Sequence, residues 1–182
     1  MMQRGGWLRR VDDTGVPLGV ARLVLGGMFV FMGLSKALDP IDFLKFVRMY
    51  DILPETPPYF LNLTAVILPV LEVVCGVALL LGVAVRGAGL TLFGMLLVFT
   101  AALISQSLDI HAAKPIAYCD VRFDCGCGTG EVYICRKLAE NAALTLLALL
   151  ASLSRSRRFC LSAWLSRVSL STDPERSWAA GS

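Results

Sequence analysis

The stretch LNLTAVILPVLEVVCGVALLLG, residues Leu61–Gly82, decides the fold class of this protein. Its only charged residue is Glu72, and long apolar runs with so few charges are typical of membrane spans. An α-helix rises about 1.5 Å per residue, so a helix of this length crosses the roughly 30 Å hydrocarbon core of a bilayer. The stretch therefore predicts a membrane-spanning helix.

Three further apolar stretches predict spans at residues 16–38, 87–108 and 138–154. The last of these is short and begins with polar residues, so we expect it to start in the membrane interface. The mean hydropathy of +0.68 is too high for a soluble globular domain. The predicted fold class is all-α, a polytopic membrane protein whose domain 16–154 is a bundle of four transmembrane helices in the lipid bilayer. The net charge of +3 is modest, and no basic stripe indicates a nucleic-acid partner.

The residues at the ends of the spans predict how the chain is threaded. Four spans place both tails, residues 1–15 and the basic 155–182, on one side of the membrane. The arginine clusters LRR (8–10) and RSRR (155–158) adjoin the first and fourth spans, and such clusters favour the cytoplasm. Four of the six cysteines fall in the connection 109–137 on the opposite side, where disulfides persist. We therefore expect a multi-pass protein of the bacterial inner membrane with both termini cytoplasmic and the cysteine loop periplasmic.

The connection between the first two spans predicts an amphipathic helix that lies in the membrane interface. Asp39 is a suitable N-cap, and Pro40 suits the first helical turn. From Asp42 onward, charged residues recur every three positions among apolar and aromatic residues, and LPETPP (53–58) ends the pattern. Two interpretations remain open: the helix is a lid over a site at the outer face, or it is a connector that rests on lipid.

Charged residues inside the predicted spans are candidate functional residues, because an unpaired charge in the membrane is costly. Counted from the predicted span ends, Arg22 lies about 9 Å and Glu72 about 14 Å from the inner surface. An arginine side chain can cover that difference, so we predict an Arg22–Glu72 ion pair. The pair either joins two helices or binds a polar headgroup or moves protons. Lys36, near the outer end of its span, either pairs with Glu140 or reaches the interface.

The cysteine loop suggests thiol chemistry. A bend at Gly126 would bring Cys125 and Cys127 within disulfide distance, and so small a ring is suited to exchange. Four loop cysteines allow three connectivities, and the spacing does not choose among them. We interpret Cys125–Cys127 as the exchanging pair and Cys119–Cys135 as a structural disulfide. Two structural disulfides are the main alternative; the C-x-C spacing is too tight for a usual zinc site, so no metal ligand is assigned.

These segments together resemble the MauE/DoxX family of redox-associated membrane proteins, over about Gly15–Leu150. The matching pieces are ARLVLGGMFVFMGLSKALDPIDF, YDILP, LPVLEVVCG, DCGCG and LAENAAL. Two features depart from the family pattern: Gly128 replaces an aromatic residue, and Cys119 and Cys135 are additional. The resemblance implies a four-helix membrane bundle associated with thiol–disulfide chemistry outside the cytoplasm. MauE is linked to maturation of a disulfide-rich periplasmic subunit with a thioredoxin-like partner during methylamine utilisation, and other members are linked to quinone-coupled sulfur oxidation.

The resulting hypothesis is an inner-membrane thiol–disulfide oxidoreductase. Cys125 or Cys127 would act as the catalytic thiolate toward a periplasmic thioredoxin-like protein. Electrons would pass to a membrane carrier, with quinone as the candidate, bound near Arg22, Lys36 and Glu72. Such a protein would support maturation of disulfide-containing or sulfur-metabolism proteins. The alternatives are a non-enzymatic assembly factor with structural disulfides, and a small transporter that uses Glu72.

Overall fold

The computed structural model describes residues 16–50, 59–114, 116–124 and 130–153. These residues form five helices, a 3-10 turn and a two-stranded hairpin. In chain order the elements are α1 (Val16–Leu38), α2 (Pro40–Met49), α3 (Tyr59–Leu81), α4 (Val85–Ala113), the 3-10 turn (Tyr118–Asp120), β1 (Arg122–Asp124), β2 (Glu131–Tyr133) and α5 (Ile134–Leu153).

Three of the helices, α1, α3 and α4, are long and apolar enough to cross a membrane. The chain is therefore a helical, multi-pass membrane protein. The fourth predicted span corresponds to α5, which starts earlier than predicted, at Ile134, and carries Arg136, Lys137 and Glu140 in its first two turns. This charge keeps α5 from qualifying as a span on composition, so a bundle of four membrane-crossing helices stays a prediction.

Glycines hold α1 and α3 close together. A Cβ atom added at Gly76 would lie 2.9 Å from the backbone oxygen of Gly26, and one added at Gly33 would lie 2.9 Å from that of Pro69. Small residues at such positions let two membrane helices approach backbone to backbone. Gly89 serves the same purpose between α4 and α5, since a Cβ there would lie 3.0 Å from the backbone nitrogen of Ser152. The long helices thus form two close pairs.

Substitution of Gly76 by alanine is expected to lower the free energy of unfolding by about 1–3 kcal/mol, because the added methyl overpacks the α1–α3 contact. It would meet Val30 Cγ2 at 2.8 Å as well as the Gly26 oxygen. Gly27→Ala is the matched control, because a Cβ at exposed Gly27 meets nothing within 4 Å. Unfolding of both variants in detergent micelles measures the difference; equal stabilities would contradict the close contact.

The amphipathic helix predicted between the first two spans is present as α2. The Asp39 carboxylate accepts a hydrogen bond from the backbone nitrogen of Asp42 at 3.1 Å, and Pro40 occupies the first turn. On the exposed side, Lys45 Nζ lies 2.5 Å from Asp42 Oδ1, and this hydrogen bond raises the pKa of Lys45 above its usual value. On the other side, Phe43 is buried. The helix therefore rests on the long helices by its apolar face.

Part of the predicted cysteine loop is a short antiparallel hairpin, which the sequence analysis did not anticipate. Strands β1 and β2 pair with Arg122 opposite Tyr133 and Asp124 opposite Glu131. Phe123 is buried. The guanidinium of Arg122 lies over the Tyr133 ring, 4.1 Å from its centroid. The hairpin is thus anchored in the protein at its base.

Candidate functional site

Lys36 and Glu72 form a buried ion pair across the α1–α3 contact. Lys36 Nζ donates to Glu72 Oε1 at 2.5 Å, and the two side chains are only 7% and 6% exposed. The other carboxylate oxygen, Glu72 Oε2, is buried and accepts no hydrogen bond from any residue that the structure describes. Lys36 therefore satisfies one oxygen of this carboxylate, and no described residue donates to the other.

The predicted Arg22–Glu72 pair is wrong. Arg22 instead donates from Nε to the Leu79 oxygen at 2.9 Å and from Nη2 to the Leu80 oxygen at 3.4 Å. The glycine contacts set the register of the helices. A Cβ at Gly33 would lie 3.0 Å from Glu72 Cβ, and Arg22 lies eleven residues, about 16 Å, further toward the N-terminal end of α1. The prediction failed because depth was counted from the ends of the spans.

Arg22 has a structural explanation at its actual position. The last four carbonyls of a helix have no partner within that helix, and a cationic side chain near them is favourable. Leu79 and Leu80 lie in the last turn of α3, so Arg22 caps that helix from α1. The suggested Lys36–Glu140 pair is also wrong, because Glu140 contacts Arg136 and Lys137 of its own helix.

A cleft of about 530 Å³ lies beside the Lys36–Glu72 pair and is lined by all five helices. This volume is within the range of small-molecule sites. Its walls are largely apolar and aromatic, including Phe29, Met32, Leu68, Met95 and Phe99. The polar side chains that line it are Lys36, Tyr50, Thr64, Glu72, Thr91, Lys137 and Asn141. A few polar groups thus converge in a mostly apolar space.

Helix α2 covers one end of this cleft. Phe43, Val47 and Tyr50 line the cleft, and the Tyr50 ring packs edge-on against Phe99 of α4 at a centroid distance of 6.3 Å. Of the two open interpretations, the structure therefore supports the one in which this segment covers a site.

The cleft opens beside the outer surface of α4. Leu90 and Val98 line it and are nevertheless 62% and 68% exposed, and Gly94 between them is also exposed. These residues lie within a helix that is long and apolar enough to span the membrane. The opening therefore faces the hydrocarbon region rather than water.

Two residues of α5 complete the cleft. Lys137 is buried at 4% exposure, with Nζ 3.4 Å from Glu140 Oε2. Asn141, which the family resemblance includes, donates from Nδ2 to Thr100 Oγ1 at 3.3 Å. Sequence reasoning did not select Lys137. Its spacing of four residues from Asn141 would have placed both on one helix face.

A second, smaller groove of about 250 Å³ lies beside Lys36, between α2 and the hairpin. Asp39 and Asp42 line it from the α1–α2 corner, and Asp124 and Gly130 line it from the hairpin. Lys36 lines both this groove and the cleft. Asp124 and Gly130 flank residues 125–129 in sequence, so the groove borders the chain positions from which the C-G-C segment emerges.

The predicted site cysteines fall into two groups. Cys119 and Cys135 form a disulfide, with their Cα atoms 5.1 Å apart, so the 3-10 turn before the hairpin is joined to the first turn of α5. Cys125 and Cys127, the predicted exchanging pair, lie outside the described residues. Among the predicted site residues, the structure thus brings together Lys36 and Glu72, and Cys119 and Cys135, and it separates Arg22 from the others.

The residues of this site lie within a segment of the chain that matches a known protein family. A family model described as methylamine utilisation protein MauE matches residues 14–154, which include the Lys36–Glu72 pair, Asn141 and the disulfide. Neither a search of the curated proteins nor a search of the solved structures returns a match. Because the family match spans well over half of the chain, this multi-pass membrane protein belongs to the MauE family.

Proposed function

We propose that this protein is a thiol–disulfide redox protein of the bacterial inner membrane. It exchanges electrons between a periplasmic thioredoxin-like partner and a carrier in the membrane, and supports maturation of disulfide-containing or sulfur-metabolism proteins. The observation that carries the proposal is the shared position of Lys36, which lines both the lipid-facing cleft and the smaller groove that Asp124 and Gly130 also line. A carrier in the cleft and thiols at the groove would lie on opposite sides of this one side chain.

The proposed orientation follows from the cysteines. In this arrangement α5 crosses the membrane as the fourth span, both termini are cytoplasmic, and the hairpin faces the periplasm. The Cys119–Cys135 disulfide supports the arrangement, because such bonds persist in oxidising compartments. The bond joins the 3-10 turn before the hairpin to α5, two residues before Lys137, which lines the cleft.

The proposed chemistry is exchange at Cys125 and Cys127. A thiolate of one attacks the disulfide of the partner, a mixed disulfide forms, and one partner thiolate leaves. The second cysteine then attacks the mixed disulfide, which releases the reduced partner and leaves a Cys125–Cys127 disulfide. A two-electron carrier completes the cycle: quinol plus this disulfide gives quinone plus the dithiol, and the same balance holds in reverse.

Trapping of the mixed disulfide tests the proposal. With Cys125→Ser or Cys127→Ser, the resolving thiol is absent, so a disulfide-linked complex with a thioredoxin-like protein is expected on non-reducing gels and should disappear with reductant. Cys75→Ser is the control, because Cys75 is a buried free cysteine within α3. If neither loop variant captures a partner and both retain full function in cells, the redox proposal fails.

A non-enzymatic assembly factor is the second candidate, and the Cys119–Cys135 disulfide favours it as well, because that bond has an evident structural use. A redox titration of the loop cysteines separates the two functions. Exchanging thiols should titrate well above about −300 mV, whereas structural disulfides lie below that potential. A transporter, the remaining alternative, should lose function on Glu72→Gln and tolerate both changes at the C-G-C cysteines.

A further inference from the structure

Two side chains separate the lipid-facing cleft from the smaller groove. Of the residues that the structure describes, only Lys36 and Phe43 line both spaces. Lys36 Nζ lies 5.2 Å from the centroid of the Phe43 ring, a distance at which an aromatic ring attracts an ammonium group. Both residues are buried, at 7% exposure each. The partition between the two spaces is therefore a single layer of side chains.

The two spaces have different surroundings. The cleft opens beside Leu90 and Val98, which face the hydrocarbon region. The groove is lined by Asp39 and Asp42, which are both exposed. Ionised carboxylates are costly in hydrocarbon and favourable in water, so exposed carboxylates mark the side of the partition that faces water. The partition thus separates a space open to lipid from a space open to water.

Glu72 lies directly behind the partition, on the side of the cleft. It lines the cleft and accepts a hydrogen bond from Lys36 through Oε1, while no described residue donates to Oε2. The way from Glu72 to water is short along α1. Gly33, which packs against Glu72, lies only five residues, about 8 Å, before the end of α1 at Leu38. A passage past Lys36 and Phe43 would therefore bring water to this carboxyl group.

The movable part of the partition is the Phe43 ring. The backbone nitrogen of Phe43 donates to the Asp39 oxygen at 3.1 Å, in the first turn of α2, so the backbone there is fixed. The ring itself can turn between a few staggered positions. It is attracted to Lys36 by a cation–π contact, which is weaker than a buried ion pair such as Lys36–Glu72. The ring can thus leave while the ion pair stays in place.

We propose that Phe43 is a gate between the cleft and the groove, and that Lys36 carries protons past it between Glu72 and water. When the ring lies over Lys36, the ion pair is sealed from water. When the ring turns away, Glu72 protonated from the cleft and the Lys36 ammonium group exchange one proton with the groove. Lys36 releases a proton to water, the Glu72 carboxyl group turns and returns its proton to the Lys36 amine, and the ion pair is restored.

The use of this gate rests on the proposed function, whereas the gate itself rests on the geometry. A two-electron carrier in the cleft releases or takes up protons there, and thiols at the groove take up or release the same number. One proton crosses the partition in each passage, and the same steps in reverse carry it from the groove to the cleft. Glu72 and Lys36 thereby keep the two sides in proton balance.

Labelling of Glu72 by two carbodiimides tests the gate in the purified full-length protein in lipid nanodiscs. Carbodiimides add to carboxyl groups, and the Lys36 amine converts the Glu72 adduct into an amide crosslink, so mass spectrometry should count both products. Dicyclohexylcarbodiimide dissolves in lipid and should label Glu72 through the cleft. A cationic, water-soluble carbodiimide should label wild-type Glu72 at least ~10-fold more slowly, because a charged reagent does not cross the hydrocarbon region.

Phe43→Ala should raise labelling of Glu72 by the cationic reagent at least ~10-fold, because truncation of a buried ring leaves a cavity in the partition. Phe46→Ala is the matched control, since Phe46 lies on the same helix and lines the groove but not the cleft. Phe43→Tyr keeps the ring and should stay closed. Phe43→Leu should give an intermediate rate, so the gate is tested even if alanine destabilises α2. Equal labelling of the Phe43→Ala and Phe46→Ala variants would overturn the gate.

Gly94→Leu distinguishes the two entrances. Gly94 lines the cleft on its exposed side, and a Cβ there meets nothing within 4 Å. The added side chain should slow labelling by dicyclohexylcarbodiimide several-fold. In the Phe43→Ala background it should leave labelling by the cationic reagent unchanged, because that reagent enters through the groove. An equal decrease for both reagents would mean a single shared entrance and would contradict the partition.

Hydrogen exchange of the Glu72 carboxyl group tests the proton step. Infrared spectra of the wild-type protein and Glu72→Gln, recorded after transfer to heavy water at a pH that protonates Glu72, identify its carbonyl band and the rate of deuteration. Phe43→Ala should speed this exchange. Lys36→Met should slow it several-fold, because methionine fills the partition but carries no proton. An unchanged rate in Lys36→Met would reject Lys36 as the proton carrier.

The cysteine variants separate this inference from the proposed function. The labelling pattern is expected to persist in Cys125→Ser/Cys127→Ser, because neither thiol takes part in the gate. The expected effect of Phe43→Ala together with absence of any trapped partner would leave the gate standing and reject the thiol exchange. A trapped partner together with no effect of Phe43→Ala would reject the gate and leave the thiol exchange standing.

Discussion

Replacement of Glu72 by leucine while Lys36 remains is expected to lower the free energy of unfolding by about 3–5 kcal/mol. The substitution leaves the ammonium group of Lys36, whose side chain is 7% exposed, without its carboxylate partner. An unpaired charge is costly in a low-dielectric interior, and more so within a membrane domain. Unfolding by a denaturing detergent, followed by helical circular dichroism, measures the loss.

The double variant Lys36→Met/Glu72→Leu tests whether the unpaired Lys36 charge causes this loss of stability. It removes both charges, so most of the lost stability should return, and the coupling between the two positions should be large. The exposed Lys45–Asp42 pair on α2 is the control, and Lys45→Met should change stability little because solvent screens both groups. Additive losses at Lys36 and Glu72 would show that the two side chains do not act as a pair.

Removal of the Cys119–Cys135 disulfide is expected to destabilise the protein by about 3 kcal/mol. The bond closes a loop with a sequence separation of 16, and the chain-entropy relation assigns about this amount to a loop of that length. The variant Cys119→Ser/Cys135→Ser should also loosen the base of the hairpin, where the buried Val121 and Ile134 are joined by a backbone hydrogen bond. Thermal unfolding in detergent micelles measures the effect.

Reductant provides the matched control for this prediction. Excess reductant should lower the melting temperature of the wild-type protein and leave that of the double serine variant unchanged. An equal decrease in both proteins would mean that another cysteine pair is responsible, and no difference between the oxidised and reduced wild-type protein would contradict a stabilising bond.

The membrane helices and α2 were predictable because their signals are local. The length and apolarity of a segment such as Tyr59–Leu81 decide whether it spans the membrane, whatever its neighbours are. The start of α2 follows from the Asp39 cap and Pro40, which act within one turn. The amphipathic pattern of α2 predicts that it lies at the membrane interface. The cleft beside α2 was not predictable, because its size depends on the distances between the long helices.

The length and apolarity of the segments did not predict which charged side chains pair within the membrane helices. Depth counted from span ends favoured Arg22 as the partner of Glu72, whereas the side chain that reaches it belongs to Lys36. A shift of one helix along another by a few residues changes which side chains meet, and backbone contact at Gly33 and Gly76 sets that shift here. Lys137 was missed for a similar reason, since its burial depends on where α5 packs.

The sequence by itself determined that this is a helical membrane protein of the MauE family with a short amphipathic helix and a cysteine-rich connection, because composition, caps and motifs act over a few turns. Only the tertiary structure decided that Glu72 pairs with Lys36, that its other oxygen receives no hydrogen bond from a described residue, and that the cleft beside it opens toward lipid. These features arise from the register between helices distant in sequence, which close contacts between glycines and backbone atoms set.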